Sequence, residues 1–495
     1  MNPCVLRDLA AHQLRHACRV LLDAGGRMQI AYAWHPNHKL IEVRYLVSVG
    51  AGRPFELWRC PVEADQALPS LAEETPLLGW YEREMADLHG LVFQNHPEPH
   101  PLVLHEGARP QRPPLDPAYP ADAPLAYVEA PIALPHIRNP DVQLLPFGPV
   151  RADVLESAQF LFFYVGESIL HYHPRLFFKH RGMEKRCEAK RPEQGVILAE
   201  RVSGVGSVAH ALAYCQALEA AADCVMPQRA AWLRVLLAEL ERLYNHLHYL
   251  GHLCHTTTLK VGEAQGKLLE EKAKQLNARA TGSRLLRGLV VPGGLAREPR
   301  LDGLADALET LRVEFFAYRQ LLEKTDSHRD RLLTTGLLSH TLAFDQGATG
   351  PVERASGLDR DLRRDHPYAA YAELPLTVAG ATEGDAQARA NVRMDEIEAS
   401  LALLQRVLLM LPDGPLRVPC APPPGSEGLG WAESPRGSLY YAVHVDADGR
   451  LARVKIKSPS FSNWRVFPYT VHDSNMMDYA INEASFGLTV AGCDR

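Results

Sequence analysis

The 495-residue sequence has no surplus of positive charge, no apolar run long enough to span a bilayer, and no secretory signal. Its 53 Lys and Arg are outnumbered by 59 Asp and Glu, and the formal net charge of −6 disfavours a nucleic-acid-binding protein. The richest apolar run, at 160–170, is interrupted by Gly166 and Glu167 and falls short of the roughly 18 residues of a membrane span. These absences predict a cytoplasmic protein with at most a peripheral role at a membrane.

Cysteines are few and scattered. There are nine, an odd number, and no two of them form a Cys-x-x-Cys pair. A disulfide framework, a zinc ribbon and an iron-sulfur cluster all need several sulfur atoms that converge on one point. The pattern therefore disfavours all three, and any metal that exchanges electrons with this chain is expected in another subunit.

Three regions of different character follow one another, and together they predict an α+β fold. Residues 1–100 mix a helical stretch with strand-like runs at 29–34, 40–47 and 55–62, as in a small α/β domain with half-buried strands. Fourteen prolines lie between positions 97 and 149. Because proline lacks an amide donor and fixes φ, we expect 101–146 to be an extended linker.

The third region, 147–495, has the pattern of a mainly helical domain. Long helical patterns cover 206–222, 228–250, 262–286, 301–333 and 388–411, and within the second Leu233, Leu236 and Leu240 recur at the spacing of a buried helix face. Near its end, strand-like runs at 440–445 and 451–457 flank Asp448-Gly449, a dipeptide that accepts the positive φ of a tight turn. The sequence therefore predicts a terminal β-hairpin beside a helical body.

Two stretches resemble a known pair of proteins. Trp80-Tyr-Glu-Arg-Glu-Met-Ala-Asp-Leu-His-Gly looks like the signature of the 30-kDa-type subunit of respiratory complex I. The region from about Phe147 onward resembles the large subunit of energy-converting nickel-iron hydrogenases and the related 49-kDa-type subunit of complex I. Its landmarks are His180-Arg-Gly-Met-Glu-Lys, Glu200-Arg-Val-Ser-Gly-Val-Gly, Asp365-His-Pro-Tyr and Ser458-Pro-Ser-Phe-Ser-Asn-Trp. Both halves in this order are similar to the fused large subunit of formate-hydrogenlyase-type (group 4) hydrogenases.

The resemblance ends where such hydrogenases bind metal. Active relatives hold nickel and iron with four thiolates, from Cys-Gly-Ile-Cys after a Glu-Arg-Val and from a second Cys-x-x-Cys close to the C-terminus. The corresponding positions here are Ser203, Gly206, Thr489 and Gly492. Glycine offers no side-chain ligand, and hydroxyls are poor substitutes for thiolates at a soft metal centre. We therefore expect no nickel-iron centre, and hydrogenase activity at an unusual metal site is the least favoured alternative.

The residues expected at a quinone headgroup depart from the family as well. In complex I a Gly-Pro-Gln-His loop and a tyrosine reach the headgroup, whereas this sequence has Gly148-Pro-Val-Arg151 and, at the tyrosine position, Leu198. A carbonyl that gains electrons needs hydrogen-bond donors, and leucine has none. Arg151, or His171 and His173, are the candidates to supply donors in an acceptor cavity.

The resemblance also implies roles for two charged segments. His180 and Arg181 would face the nearest iron-sulfur cluster of a small partner subunit, where Arg181 could stabilise the negative charge added on reduction. Glu184 corresponds to a proton-relay carboxylate, and Asp365 and His366 lie in a segment expected to transfer protons toward membrane subunits. The alternative interpretation is a charged turn at 180–185 and a solvated helix face with ion pairs at 389–396.

Two other clusters carry no chemistry in this interpretation. His246, His248, His252 and His255 resemble metal spacing only superficially and are expected to be hydrogen-bonded core or helix-surface histidines. The acidic cluster around Glu82 is expected to serve docking and structure, by resemblance, rather than acid-base catalysis.

The leading hypothesis is an electron-transfer and coupling subunit of a membrane-bound respiratory complex, peripheral on the cytoplasmic face of the cell membrane. The implied partners are a small iron-sulfur subunit, a ferredoxin-like iron-sulfur subunit, antiporter-like and other integral membrane subunits, and a formate dehydrogenase or another electron-input module. The chain itself would hold no cofactor, and electrons would pass to a quinone or another acceptor. The alternative is a catalytically inactive scaffold that joins the electron-input arm to the ion-translocating membrane arm.

Overall fold

The computed structural model describes residues 4–37, 40–63, 66–135, 137–151 and 156–495. Its N-terminal elements are β1 (Cys4–Asp8), α1 (Leu14–Asp23), β2 (Arg27–Asn37), β3 (Leu40–Ser48), β4 (Phe55–Val62), β5 (Leu68–Pro69), α2 (Gly79–His89) and β6 (Phe93–Gln94). The main sheet has the order β1-β4-β3-β2, in which β2, β3 and β4 are antiparallel and β1 pairs with β4 in parallel. The three strand-like runs of the sequence are thus confirmed as strands.

The proline-rich segment is fixed to the N-terminal domain where it begins. Within its described residues the regular elements are two short paired strands, β7 (Ala108–Arg109) and β8 (Ala126–Tyr127), and the start of a third strand at Gln143–Phe147. Asp87 of α2 accepts the backbone N–H groups of Leu102, Val103 and Leu104 at 2.8, 2.7 and 3.2 Å. Val103 and Leu115 are buried. The segment therefore packs along the protein surface, with its start held by Asp87.

The remaining elements form the large C-terminal region. They are β9 (Gln143–Phe147), β10 (Gln159–Val165), β11 (Ser168–Arg175), α3 (Met183–Cys187), α4 (Pro192–Ala199), α5 (Ser207–Ala221), α6 (Gln228–Thr256), α7 (Lys260–Thr281), β12 (Val290–Val291), β13 (Gly294–Leu295), α8 (Leu304–Lys324), α9 (Asp326–Leu332), α10 (His340–Asp345), α11 (Pro351–Ala355), α12 (Leu362–Asp365), α13 (Ala386–Met410), β14 (Glu427–Ser434), β15 (Gly437–Val445), β16 (Leu451–Lys457), α14 (Pro459–Val466), β17 (Ser474–Asn475), α15 (Tyr479–Phe486) and α16 (Val490–Asp494).

The long helices confirm the helical predictions, with one difference. The pattern at 301–333 is divided into α8 and α9 at Thr325, whose backbone is extended (φ −95°, ψ 92°) and whose hydroxyl bonds the carbonyl of Leu321 at 2.7 Å. A local side-chain bond of this kind competes with helix continuation. Among the described residues, no helix is both long enough and apolar enough to cross a membrane.

The predicted hairpin is confirmed as β15 and β16, and β14 adds a third antiparallel strand that the sequence pattern did not indicate. Helix α5 lies directly on β14. A Cβ atom added to Gly428 would overlap the carbonyl oxygen of Ala217, and one added to Gly430 would overlap that of Ala213. Because the glycines are two residues apart on a strand and the alanines four apart on a helix, each pair presents a single face. The small residues therefore permit this close approach.

We expect Gly430→Ala to lower the free energy of unfolding by about 1–3 kcal/mol, since the added methyl group must push helix and strand apart. Urea denaturation followed by circular dichroism measures the change. Gly380→Ala is the matched control, because the nearest atom to its added Cβ is 3.8 Å away. Equal stability of the two variants would contradict the packing described here.

The N-terminal sheet packs against the β14–β16 sheet. Trp34 of β2 stacks on His444 of β15 with ring centroids 4.1 Å apart, and Arg44 of β3 pairs with Glu427 of β14 at 2.6 Å. A second four-stranded sheet, of order β17-β11-β10-β9, lies in the C-terminal region. The two regions thus share a large interface, and the charged segments of interest border it.

Candidate functional site

The two loops that the family resemblance assigns to the hydrogenase thiolate positions meet in the fold. Residues 203–206 immediately precede α5, and residues 489–492 include the start of α16. A Cβ atom added to Gly492 would lie 2.5 Å from Thr489 Oγ1 and 3.7 Å from Ser203 Cβ. One added to Gly206 would lie 3.7 Å from Ser203 Oγ. The four positions therefore form one site, although they come from distant parts of the chain.

Arg181 joins these two loops. Its guanidinium donates to the carbonyl oxygens of Arg201 at 2.8 Å and Val202 at 2.7 Å on one side, and to that of Ala491 at 2.8 Å on the other. Next to it, His180 Nδ1 lies 2.6 Å from the carbonyl oxygen of Asp494, and burial lowers the pKa of this histidine. The loop geometry is thus held by hydrogen bonds, with Arg181 as the link.

The donor atoms at this site do not fit a nickel-iron centre. Ser203 and Thr489 offer hydroxyls, and the Thr489 hydroxyl is already bonded to Ser460 Oγ at 3.1 Å. The adjacent thiol of Cys493 is fully buried, and burial raises its pKa well above the usual range, so it stays protonated. In the part of the chain that the structure describes, no group of three or more His, Cys, Asp or Glu could hold a metal ion.

Glu184 lies in a buried cluster of charges at the border of the two domains. Its carboxylate pairs with Arg453 at 2.7 Å, Arg495 at 3.2 Å and Lys455 at 3.4 Å. From α2, Glu84 pairs with Lys455 at 2.7 Å and Arg495 at 3.0 Å. Burial opposes ionisation, but the three cations outweigh it and lower the pKa of Glu184 to about 2. In this conformation Glu184 is a fixed negative charge at neutral pH.

A second buried set of charges, the central charge cluster, lies between α6, α11, α12, α13 and β14. It consists of Glu239, Asp361, Glu396, Glu433, Arg242, Arg354 and Arg363. Each member is at most 4% exposed. His246 bonds Glu396 at 2.7 Å, but burial lowers its pKa to about 4 and leaves it neutral. The cluster thus has four carboxylates for three guanidinium groups.

Asp365 and His366 lie where the two domains meet. The His366 ring stacks on Phe55 at a centroid distance of 3.9 Å, and its Nε2 is 3.2 Å from Ser48 Oγ. The carbonyl oxygen of Asp365 accepts the backbone N–H of Gly52 at 2.8 Å. Burial lowers the pKa of His366, and the nearby Asp365 carboxylate only partly offsets this. Both residues line a cavity of about 250 Å³, the interdomain cavity.

His171 and His173 alternate along β11 and therefore lie on one face of the strand. With His472, whose ring centroid is 5.0 Å from that of His171, they line a cleft of about 690 Å³ that Trp80 and Arg465 also border. Burial lowers the pKa of both strand histidines, that of His173 to about 4. Both imidazoles are therefore neutral near pH 7 and can donate an N–H group to a ligand.

The other predicted acceptor residues lie elsewhere. Arg151 donates to the carbonyl oxygen of Glu156 at 2.6 Å, and its guanidinium lies 5.0 Å from the centre of the Phe160 ring. Leu198, on α4, is partly buried and packs against the core. His180, Arg181 and Glu184 border a third cavity, of about 220 Å³, beneath residues 114–125 of the proline-rich segment. The other predicted residues thus fall into three separate cavities, and neither Arg151 nor Leu198 lines any of the three.

The structure also shows residues that the sequence analysis did not single out. Glu433 and Lys457 line the interdomain cavity. Arg354 belongs to the central charge cluster, where it pairs with Glu433. The sequence signal that could have indicated Glu433 is a charged residue directly after the apolar residues Trp431 and Ala432 in β14. By contrast, His246, His248 and His255 each bond a glutamate, as expected for histidines of the core and the helix surface.

Models of known protein families match three parts of the chain. The 30 Kd subunit of respiratory-chain NADH dehydrogenase matches residues 7–124, and the nickel-dependent hydrogenase family matches 181–281. The 49 Kd subunit of respiratory-chain NADH dehydrogenase matches 269–424 and 419–495. The order of the matches confirms the fusion that the sequence motifs indicated.

Curated relatives cover most of the chain. Formate hydrogenlyase subunit 5 of Escherichia coli (strain K12) is 30% identical over 88% of this chain and 79% of its own length. Hydrogenase-4 component G of the same organism is 32% identical over 88% and 78%. The C/D subunit of NADH-quinone oxidoreductase from Cereibacter sphaeroides (strain ATCC 17025 / ATH 2.4.3) is 27% identical over 94% and 87%. These relatives are named as subunits of oxidoreductases.

A solved structure supports the same relationship. A chain from the membrane-bound sulfane sulfur reductase, an archaeal respiratory membrane complex, superposes with a TM-score of 0.68 at 25% identity. The match covers 73% of this chain and 100% of that chain.

Proposed function

Because the chain belongs to the family of fused complex I-type and hydrogenase large subunits that includes formate hydrogenlyase subunit 5, we propose that it is an electron-transfer and proton-coupling subunit of a membrane-bound oxidoreductase complex without a nickel-iron centre. One observation carries the proposal. The two metal-binding loops of the family are brought together and held by Arg181, yet Ser203, Gly206, Thr489 and Gly492 offer no sulfur. The fold is kept while the metal chemistry is lost.

Electrons would reach this chain from a cluster in a small iron-sulfur subunit. Arg181 is exposed, although its guanidinium is fixed by three backbone carbonyls. A cation held in this way, with His180 beside it, would stabilise the negative charge added to a neighbouring cluster on reduction. A ferredoxin-like subunit and a formate dehydrogenase or another input module would supply electrons to that cluster.

The acceptor would be a quinone or another small oxidant. The cleft beside His171 and His173 offers neutral imidazole donors, an aromatic wall and the cation Arg465. Such donors would stabilise an acceptor carbonyl as it gains electrons. Arg151, held by Glu156, is the second candidate for this role.

Proton transfer would involve Asp365 and His366, which line the interdomain cavity. The neutral imidazole of His366 can accept a proton or pass one on near neutral pH. For Glu184 the same role requires its three cationic partners to move apart, since together they hold its pKa near 2. Antiporter-like and other membrane subunits would receive the coupled charge change, with this chain on the cytoplasmic face of the cell membrane.

The proposal is tested by isolating the tagged full-length chain from gently solubilised native membranes and identifying its partners by mass spectrometry. We expect a small iron-sulfur subunit, a ferredoxin-like subunit and integral membrane subunits in constant ratio to the chain. Membranes with a tagged unrelated protein give the background. A free monomer, recovered without these subunits, would overturn the proposal.

The second candidate function is an inactive scaffold between the electron-input and membrane arms. The absence of sulfur at four positions and the leucine at position 198 favour it. Photoaffinity labelling of the isolated complex with a quinone analogue separates the two functions. Labelled peptides around His171 or Arg151, lost on competition with unlabelled quinone, support an acceptor site, whereas no specific labelling supports the scaffold.

A further inference from the structure

The interdomain cavity connects two buried ionisable groups to solvent. Glu433 of β14 and Lys457 of β16 are 4% and 3% exposed, and both line the cavity. Ala51 and Asp359 also line it and are exposed, so they mark its mouth. A polar cavity of about 250 Å³ has room for several water molecules. Protons can therefore reach both groups without unfolding of either domain.

Lys457 is a buried lysine without a carboxylate partner. Its Nζ donates to the carbonyl oxygen of Ser438 at 2.7 Å and to Ser438 Oγ at 2.9 Å, which uses two of its three donors. It forms no ion pair with any carboxylate of the described residues. Burial, reinforced by Arg27, lowers the pKa of Lys457 to about 7. The titratable or charged side chains that face it are Arg27 of β2, Glu353 of α11, Glu433 of β14 and Tyr440 of β15.

Glu433 is the least compensated carboxylate of the central charge cluster. Its Oε1 accepts from Arg354 at 3.1 Å, and among the described residues its Oε2 accepts the backbone N–H of Leu362 at 3.4 Å. Burial, followed by the negative charge of Asp361, raises the pKa of Glu433 to about 7. The charged side chains that face it are Arg242 of α6, Arg354 of α11, and Asp361 and Arg363 around α12. The surplus carboxylate of the cluster thus faces the same cavity as the unpaired lysine.

We propose that Glu433 and Lys457 form a proton-exchange pair that holds one mobile proton across the interdomain cavity. In one state the ammonium and the carboxylate are both charged. In the other an N–H bond of Lys457 has broken, an O–H bond of Glu433 has formed through cavity water, and both groups are neutral. Asp365 and His366 line the same cavity. As a step in coupled proton transfer this rests on the function proposed above, whereas the titration of the pair does not.

The pair is tested by competitive acetylation of the full-length chain with trace acetic anhydride between about pH 5 and pH 10. Only a neutral amine reacts, so the yield at each lysine, read by peptide mass spectrometry, follows its deprotonation. We expect Lys457 to titrate with a midpoint near pH 7, well below that of the exposed Lys190. In Glu433→Gln the midpoint should fall further, since the carboxylate that favours the ammonium is gone.

The control is Glu383→Gln, which removes an exposed carboxylate outside the cavity and should leave the Lys457 midpoint unchanged. Circular dichroism verifies that each variant is folded, and an unchanged Lys190 profile verifies that the reagent behaves alike in all samples. A Lys457 midpoint equal to that of Lys190, no shift in Glu433→Gln, or no acetylation of Lys457 at any pH would each overturn the pair. These results concern the isolated chain, so they are separate from a failure to find the membrane partners.

Discussion

Replacement of Arg354 by methionine is expected to cost about 3–5 kcal/mol of the free energy of unfolding, because it leaves buried carboxylates without their shared cation. Arg354 contacts Glu396, Glu433 and Asp361, the last two at 3.1 and 3.4 Å, and its side chain is fully buried. Methionine keeps much of the volume but none of the charge. Urea denaturation, followed by circular dichroism, measures the loss.

Arg319→Met is a matched control for this result. Arg319 also contacts three carboxylates, Glu323 at 2.8 Å, Asp395 at 2.8 Å and Glu398 at 2.7 Å, but its side chain is 22% exposed and the acids are more exposed still. Water screens such pairs, so the cost should stay below about 1 kcal/mol. Equal losses in the two variants would show that the central charge cluster does not depend on Arg354 as described.

Glu184→Gln should destabilise the chain by a similar amount at pH 7, about 3–5 kcal/mol, since it removes the carboxylate that pairs with Arg453 and leaves Lys455 and Arg495 with Glu84. Most of this difference, about 3 kcal/mol, should depend on pH. The pKa of Glu184 is lowered from 4.5 to about 2 on folding. Its ionised form therefore stabilises the fold above about pH 4.5, and the contribution is lost as the pH falls toward 2.

The measurement compares the free energies of unfolding of the wild type and the variant at pH 7 and about pH 3, where the difference between them should be smaller by about 2 kcal/mol. Glu263→Gln is the control. Glu263 also pairs with three cationic groups, Lys260, Lys267 and His255, but these side chains are more than half exposed and the cost should stay below about 1 kcal/mol. A Glu184→Gln effect that is as small as this, or that does not change with pH, would contradict the buried cluster.

The sequence predicts the elements of this fold better than its buried charges. Helical patterns in the sequence place the helices that became α5, α6, α7 and α13, and in α6 the leucines recur at the spacing of a buried helix face. In β16, Arg453, Lys455 and Lys457 alternate with Val454 and Ile456, a pattern typical of a strand with one solvated face. The structure instead buries both faces.

The reason is tertiary. The charged face of β16 is covered by the N-terminal domain and by α3, which supply Glu84 and Glu184 as partners for Arg453 and Lys455. Those carboxylates are distant in sequence, so no local pattern indicates the pairing. The same holds for the site at 203–206 and 489–492. The family resemblance points to these positions, but only the fold shows that Arg181 links the two loops.

The proposed absence of nickel-iron chemistry is tested most directly by the nickel content of the intact complex. The tagged chain, isolated with its partners from native membranes and active in electron transfer, is analysed for nickel, iron and acid-labile sulfide. We expect iron and sulfide from the partner subunits and no nickel above the background of the buffer. Nickel in constant proportion to the chain, removed together with activity by substitution of Ser203 or Thr489, would contradict the central claim.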